Sequence, residues 1–203
     1  MADGVAAGAR GVSLAEPGMY EFELAAGDVA VDVGAYRGEW AAGLRQRHPD
    51  VWIHCYEPNP AVYWPLKARF SGDDRVVTFE IAVWSSWDWG VLKGADDSAS
   101  FEPLPLETPA SEITLQHIRA TPVSEVLGTL NRCSLLKLNC EGGEYEILPA
   151  LLALDRTRWP RYLLVQWHGP EEQTEALRTR LCEGYDMIWT QPGWEKWECK
   201  ASR

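Results

Sequence analysis

The stretch Val29-Ala-Val-Asp-Val-Gly-Ala-Tyr-Arg-Gly38 joins a short β-branched apolar run to an acid and two glycines. The apolar run predicts a buried strand at 29–33, and the glycines predict a tight connection after it. The next residues, Glu39-Trp-Ala-Ala-Gly-Leu-Arg-Gln-Arg47, predict a helix over about 38–47. Strand, glycine turn and helix open the nucleotide site of many α/β sheets, because the glycines allow close backbone approach and the helix N-terminus presents free N–H groups.

Apolar runs alternate with helix-like segments beyond this stretch. A second run, Val51-Trp-Ile-His-Cys-Tyr-Glu57, also ends in an acid, and Pro58-Asn59-Pro60 then starts a helix that extends to about Phe70. A third strand is expected at Arg75–Val83. This alternation predicts an α/β fold with a parallel sheet and right-handed crossovers.

The second half of the chain repeats the alternation. A buried strand is predicted at Cys133–Asn139, followed by a turn at 140–144. The C-terminal hairpin would finish a mostly parallel sheet with antiparallel strands. The remaining predictions are a helix at Tyr145–Leu154, a strand at Tyr162–His168, a helix at Glu171–Glu183 and a hairpin of Tyr185–Thr190 with Trp194–Lys200.

The domain organisation follows from these elements. Residues 1–27 are expected to form a lead-in that covers one edge of the site, and 28–203 to form a single domain. The irregular segment 84–120, with an extra strand at Ile113–Ile118, is expected to be a lid or specificity insertion, since loops of this length are usually functional. A capped helix is expected to start at Thr121-Pro122.

The bulk composition restricts the partners and the compartment. Nineteen basic and 30 acidic side chains give a formal charge of −11, which repels phosphate backbones and anionic lipid surfaces. We therefore expect no nucleic-acid or membrane partner, and the sequence leaves the oligomeric state open. Five cysteines without a CxxC pair suit a reducing compartment, and no stretch is long enough to span a bilayer. The sequence therefore predicts a cytoplasmic protein.

Two acids at predicted strand ends are candidates for holding a nucleoside. A dinucleotide site needs GxGxxG, whereas Gly34-Ala-Tyr-Arg-Gly38 places Tyr36 where a pyrophosphate would approach, which argues against a nicotinamide-dependent oxidoreductase. A nucleoside joined to an amino acid, as in S-adenosylmethionine (SAM), fits better. Asp32 is expected to order water or the ammonium group of the methionyl part, and Glu57 to accept both ribose hydroxyls. The structural alternative is that both acids only cap strand ends.

Three motifs, in this order, resemble the FkbM family of SAM-dependent methyltransferases. They are Val31-Asp-Val-Gly-Ala-Tyr-Arg-Gly-Glu-Trp40, Tyr56-Glu-Pro-Asn-Pro60 and Leu135-Leu-Lys-Leu-Asn-Cys-Glu-Gly-Gly-Glu-Tyr-Glu-Ile-Leu148. The family typically shows DVGANxGxY, FEPxP and KIDVEGxE. The resemblance implies a Rossmann-like class I methyltransferase fold, with a mostly parallel seven-stranded sheet, an antiparallel C-terminal strand and helices on both faces. It also implies SAM as cofactor and O-methylation of a hydroxyl on a sugar, glycan or small natural product.

The family's cofactor positions carry over to this sequence, with two departures. Tyr36 replaces the usual asparagine, and Asn139 replaces the aspartate of KIDVEG. An amide can orient a hydroxyl or the cofactor by hydrogen bonds, but it is a poor base and a poor metal ligand. Ala82–Trp84, at the end of the third strand, would flank the adenine. The expected cofactor residues are Asp32, Gly34, Ala35, Tyr36, Gly38, Glu57, Pro58, Asn59, Ala82, Val83 and Trp84.

The expected catalytic residues are His168, Glu141 and Asn139, since a hydroxyl acceptor benefits from a nearby base. The histidine side chain is the residue type suited to acid–base chemistry near neutral pH, which favours His168. Glu141 and Glu144 lie where a helix N-terminus favours negative charge even without a catalytic role. No spacing predicts a metal site, although Glu141 and His168 can meet in space, so metal dependence stays open. Because of Asn139, the alternative is a catalytically silent SAM- or nucleoside-binding module or partner subunit.

Overall fold

The computed structural model describes residues 17–93, 99–104 and 118–200, which form eleven strands and five α-helices. Two short 3-10 helices, Pro17–Tyr20 and Arg156–Arg158, complete the described elements. The helices are α1 (Glu39–Arg47), α2 (Pro60–Arg69), α3 (Val123–Gly128), α4 (Glu144–Leu152) and α5 (Glu171–Leu181). The strands are β1 (Val29–Val33), β2 (Trp52–Tyr56), β3 (Val76–Phe79), β4 (Ala82–Trp84), β5 (Asp88–Lys93), β6 (Ser100–Pro103), β7 (Ile118–Pro122), β8 (Leu135–Leu138), β9 (Tyr162–Gln166), β10 (Tyr185–Gln191) and β11 (Trp194–Cys199).

Seven strands form the main sheet in the order β3-β2-β1-β8-β9-β11-β10. The five strands from β3 to β9 are parallel, and β11 runs antiparallel to both β9 and β10. Helices α1 and α2 pack on one face, and α3, α4 and α5 pack on the other. This arrangement confirms the predicted fold class.

The central strand β1 explains why the predicted strands read as continuous apolar runs. Ala30 contributes to the core beneath α1 and α2, whereas Val31 contributes to the core on the opposite face, and both are fully buried. A parallel strand covered by helices on both faces has no solvent side on which polar residues could alternate.

The predicted third strand, 75–83, is two strands in two different sheets. β3 ends at Phe79 beside β2, the chain bends at 80–81, and β4 then pairs with β7. The apolar pattern continues through Ile81 and Val83 across this bend, so the sequence gives no sign of the break.

The insertion predicted at 84–120 contributes to a second sheet of four strands, in the order β4-β7-β5-β6. Its buried side chains, with Phe101 and Ile118 among them, form a small core of their own. The strand predicted at 113–118 lies outside the described residues except for Ile118, which begins β7. Residues 94–98 and 105–117 are also outside, so the lid and the domain limits stay predictions.

The described part of the lead-in, residues 17–27, packs against the α1 side of the sheet. Met19 and Phe22 belong to that core, and the buried ammonium of Lys196 on β11 donates to the carbonyls of Gly18 and Glu21. Among the described helices, none is both long and apolar enough to cross a bilayer. The five cysteines are free thiols.

Gly34 lies where the carboxyl ends of β1 and β8 come together. Its φ is 69°, and a Cβ built on it would lie 1.7 Å from the carbonyl oxygen of Asn139. The sequence suggested that this glycine admits a ligand. In the structure Gly34 is also required because two segments of backbone touch there.

We expect Gly34→Ala to lower the free energy of unfolding by more than about 2 kcal/mol, because the left-handed conformation alone costs about 1–2 kcal/mol. Denaturant unfolding measures the change. Gly72→Ala is the matched control, since no described atom beyond its chain neighbours lies within 4 Å of a Cβ at Gly72, and its loss should stay below about 0.5 kcal/mol. Equal losses in the two variants would contradict the proposed contact.

Candidate functional site

A cavity of about 320 Å³ lies at the carboxyl ends of β1, β2 and β8. It is also bordered by β4 and β6 of the second sheet and by the start of β11. Ligands of open α/β sheets bind at this edge, where neighbouring strands send their connections to opposite faces. The sequence-predicted residues in its wall are Gly34, Ala35, Tyr36, Glu57, Pro58, Ala82, Val83, Trp84, Asn139 and Glu141.

Four predicted site residues are not part of that wall. Gly38 caps α1, and a Cβ there would lie 2.5 Å from the Phe70 ring. Asn59 caps α2 through its side chain, which accepts the N–H of Ala61 at 3.0 Å. Asp32 and His168 lie behind the wall, and each contacts a residue that lines the cavity.

Glu57 is held rigidly at the end of β2. Its two carboxylate oxygens accept the backbone N–H groups of Tyr36 and Asn59, each at 2.8 Å. Burial raises the pKa of Glu57, and these two N–H groups oppose the rise because they stabilise the charged form. Each oxygen keeps a further lone pair, so the carboxylate can still accept two hydrogen bonds from a ligand.

Tyr36 adopts the conformation that the turn after β1 demands. Its φ is 51°, in the left-handed region that asparagine enters more readily than tyrosine. The backbone conformation of this turn is therefore a sufficient reason for the asparagine that the family motif shows here, and contact with a ligand is not needed to explain it. The N–H of Tyr36 donates to Glu57, which stabilises the turn, and the Tyr36 side chain lines the cavity.

A buried ion pair joins β1 to β8 beneath the cavity. Asp32 and Lys137 are register partners on the two strands, and the ammonium lies 2.7 Å from Asp32 Oδ1. The ammonium also donates to the carbonyls of Gly34 at 2.7 Å and Val33 at 3.4 Å. Neither oxygen of Asp32 receives a well-aligned hydrogen bond from the residues that the structure describes. Burial raises the pKa of Asp32, and the Lys137 charge opposes that rise.

Sequence reasoning gave Lys137 no role, although a signal was present. A lysine in the middle of the fully buried strand Leu135–Leu138 must find an anionic partner, because an unpaired buried charge is very costly. Other wall residues without a predicted role include Glu39, Trp40, Phe101 and Trp194. Met19, from the predicted lead-in, also contributes to the wall.

Asn139 lies in the cavity wall directly after β8. Its backbone N–H donates to Val33 at 3.1 Å, and its side-chain oxygen is buried without a hydrogen-bond donor among the described residues. A buried amide oxygen without a donor indicates that a ligand or water supplies one.

Glu144, at the start of α4, organises the turn after β8. Its side chain is fully buried and accepts the N–H groups of Cys140 at 2.8 Å and Gly142 at 2.9 Å. It also contacts His168 Nδ1 at 3.0 Å, while His168 Nε2 lies 3.2 Å from Glu141. The turn thus places Glu141 in the cavity wall, with His168 between the two carboxylates.

The electrostatics of this group favour a charged imidazole. Burial lowers the pKa of His168, but the hydrogen bond to Glu144 and the charges of Glu144 and Glu141 outweigh it, so the pKa is raised. Burial likewise opposes the lowered pKa of Glu144, which results from His168 and the Cys140 N–H. Protonation of His168 therefore stabilises the fold at low pH, and this contribution is lost as the pH rises through the pKa of the folded state.

Among the residues that the structure describes, no group of three or more His, Cys, Asp or Glu side chains is arranged to hold a metal ion. Glu141 and His168 do meet, as the sequence allowed. The oxygens of Glu144 beside them are already used by backbone donors.

Comparison with known proteins identifies the family. The family model described as the methyltransferase FkbM domain matches residues 32–187, well over half of the chain. The chain belongs to the FkbM methyltransferase family. This result confirms the resemblance found in the three sequence motifs. A search of curated proteins gave no match for this FkbM-family chain.

Solved structures place the FkbM-family chain among methyltransferase folds. It is similar to the methyltransferase FkbM from Methylobacillus flagellatus KT, with 15% identity, a TM-score of 0.58, and coverage of 87% of this chain and 44% of that one. It therefore spans less than half of that protein's length. It is also similar to a methyltransferase from Podospora anserina bound to SAH, with 12% identity, a TM-score of 0.52, and coverage of 85% and 72%.

A third similar structure is fibrillarin from Aeropyrum pernix with natively bound S-adenosyl-L-methionine. The identity is 12%, the TM-score is 0.50, and the match covers 86% of this chain and 66% of that one. At these identities the similarities establish the fold alone.

The residues of this FkbM-family cavity suit an adenosyl amino acid. Glu57 presents two acceptors of the kind that a ribose diol needs, and Tyr56, Pro58 and Val83 offer apolar surface for a purine. The unpartnered oxygen of Asn139 requires a donor. SAM carries the diol, the purine and ammonium donors, so the wall fits this cofactor.

We expect Lys137→Met to lower the free energy of unfolding by about 3–5 kcal/mol, because it leaves the Asp32 carboxylate buried without a counterion. The double variant Asp32→Asn with Lys137→Met removes both charges and should recover much of the loss. Denaturant unfolding of the three proteins measures both changes. A single variant as stable as the wild type would contradict the role given to the pair.

Proposed function

We propose that this FkbM-family chain is a SAM-dependent O-methyltransferase that methylates a hydroxyl of a sugar, glycan or small natural product. The main support is the cavity at the ends of β1 and β2, where two backbone N–H groups fix the carboxylate of Glu57. The same cavity is lined by another carboxylate, Glu141, on the β8 side, and a protein that only bound nucleosides would not need it.

Bound SAM would supply a methyl group on a positively charged sulfur, which the acceptor oxygen attacks in line. In this proposal Glu57 accepts the ribose hydroxyls, and Ala82, Val83 and Trp84 flank the adenine. Asn139 accepts a hydrogen bond from the cofactor or acceptor through its free oxygen. Holding both reactants in one geometry can contribute up to roughly 7–11 kcal/mol in favourable cases.

Glu141 is the best placed of the predicted catalytic residues to take up the acceptor's proton. It lines the cavity, whereas His168 does not, and both ring nitrogens of His168 already face carboxylates. Asn139 lines the cavity but, as an amide, cannot serve as a base. We therefore assign proton uptake to Glu141 and orientation to Asn139.

The charges of the wall favour an uncharged acceptor. Glu39, Glu57 and Glu141 line the cavity, and the one cation among the described wall residues, Lys137, is paired with Asp32. An anionic group would be repelled here, since the surrounding protein also carries a net charge of −11. Trp84, Phe101 and Trp194 add aromatic surface, which suits the apolar face of a sugar or a natural product.

A cytoplasmic location and the absence of a nucleic-acid partner complete the proposal. Five free thiols suit a reducing compartment, and the acidic surface disfavours polyanions. The alternative, a silent SAM-binding module, is favoured by one observation, the amide Asn139 where the family motif has an acid.

We expect the protein to bind SAM and S-adenosylhomocysteine (SAH), and Glu57→Gln to weaken SAH binding roughly 10- to 100-fold, since hydrogen bonds to a charged group contribute about 1.5–3 kcal/mol. Isothermal titration calorimetry measures both affinities. Glu80→Gln, an exposed acid just after β3, is the control and should bind SAH like the wild type. Undiminished affinity in Glu57→Gln would contradict the assignment of Glu57 to the ribose.

We expect SAH to be released when the protein meets SAM and a panel of neutral hydroxylated acceptors, with Glu141→Gln reducing kcat by about 10²- to 10⁴-fold. SAH binding by this variant should stay intact, because the substitution removes a base and keeps the side-chain volume. SAH affinity without turnover on any acceptor would favour the silent module.

A further inference from the structure

The side chains of Glu144, His168 and Glu141 form a continuous chain from the protein interior to the cavity wall. Glu144 is fully buried, His168 is 16% exposed and Glu141 is 29% exposed. Glu144 Oε1 lies 3.0 Å from His168 Nδ1, and His168 Nε2 lies 3.2 Å from Glu141 Oε1. Only the outermost member, Glu141, lines the cavity.

Glu144 and the segment that carries His168 are each anchored by neighbouring groups. Glu144 accepts the N–H groups of Cys140 and Gly142, so its position is fixed by the turn it caps. The segment that carries His168 is held by Tyr145, whose hydroxyl accepts the N–H of Gly169 at 3.0 Å and contacts Thr174 at 2.6 Å. The imidazole therefore has little freedom to turn away from the two carboxylates.

The outer end is held in a conformation that needs support. Glu141 has a φ of 52°, which is uncommon for a residue other than glycine and is sustained only where its surroundings fix it. His168 contributes to this support, because its second ring nitrogen contacts the Glu141 carboxylate directly. This contact restrains the Glu141 side chain at the cavity.

We propose that His168 is a positioning residue that ties Glu141 to the buried Glu144 and so directs the Glu141 carboxylate toward the acceptor hydroxyl. This inference rests on the proposed function, in which Glu141 takes up the acceptor's proton. His168 itself does not touch the acceptor. Its imidazolium donates Nδ1–H to Glu144 and Nε2–H to Glu141, and neither proton is transferred.

This arrangement has a definite dependence on pH. When His168 loses its proton, the anionic Glu144 retains the remaining N–H on Nδ1, and the lone pair of Nε2 then faces the Glu141 carboxylate. The link to Glu141 is lost, and activity should fall on the alkaline side. Burial lowers the pKa of the imidazole and the charge of Lys137 lowers it further, whereas Glu144 and Glu141, which contact the ring, raise it.

His168→Asn tests the proposal, because the asparagine amide can replace Nδ1 as donor to Glu144 but has no group at the position of Nε2. We expect kcat to fall by about 10²-fold, the cost of a misplaced catalytic group, with acceptor KM and SAH affinity unchanged. The alkaline decline in kcat should disappear in this variant. Wild-type kcat and pH profile in His168→Asn would overturn the proposal.

An NMR titration of the His168 ring tests the contacts without an acceptor. The signal is assigned by its loss in His168→Asn, since the chain has four histidines. Glu141→Gln and Glu144→Gln should each lower the pH at which the ring titrates. Glu146→Gln is the control, because this exposed acid on the same helix bonds to Ser85 instead. Titration unchanged by Glu141→Gln would overturn the proposal.

The two proposals fail in distinguishable ways. A wild-type protein that binds no SAH contradicts the proposed function. The NMR titration of His168 would still show whether Glu141 and Glu144 interact with the imidazole. Full SAH binding and turnover in His168→Asn contradicts the positioning role alone.

Discussion

The ion pair between Asp32 and Lys137 is the interaction on which the site depends. It lies at the centre of the sheet, between the two neighbouring strands whose carboxyl ends form the cavity floor. Two buried charges are tolerated there because each compensates the other and because the ammonium also satisfies two carbonyls of the β1 turn. The pair therefore does more than stabilise the core. Its ammonium bonds to the carbonyl of Gly34, where the turn after β1 lies against the backbone of Asn139 in the cavity wall.

The two halves of the site extend outward from this junction. On the β1 side, the turn brings the Tyr36 N–H to Glu57 and fixes an acceptor of the kind that a ribose needs. On the β8 side, Glu144 closes the following turn and presents Glu141 to the same cavity through His168. In the proposed function, the carboxylate that holds the cofactor (Glu57) and the carboxylate that accepts the proton (Glu141) line the same cavity on either side of this ion pair. FkbM family membership and the proposed methyl transfer are consistent with this division.

The sequence predicts the fold because parallel strands buried on both faces leave a plain apolar signature, and because the glycines and strand-end acids mark one edge of the sheet. Its predicted site residues include half of those that line the cavity. It misses the break between β3 and β4, since the apolar pattern runs on through the bend at 80–81. It gives no role to Lys137, whose importance lies in a partner 105 positions away that only strand register reveals. It predicts a catalytic role for His168, whereas the structure places His168 behind Glu141, which lines the cavity. The positions of residues along the chain do not show how deeply each side chain is buried.

A crystal structure of the protein with SAH would show directly which residues hold the cofactor. We expect adenosine density in the cavity at the ends of β1 and β2, with both ribose hydroxyls on the Glu57 carboxylate, the purine against Ala82–Trp84 and the Asp32–Lys137 pair intact beneath it. SAH bound elsewhere, or a ribose without contact to Glu57, would contradict the cofactor site assigned to this cavity.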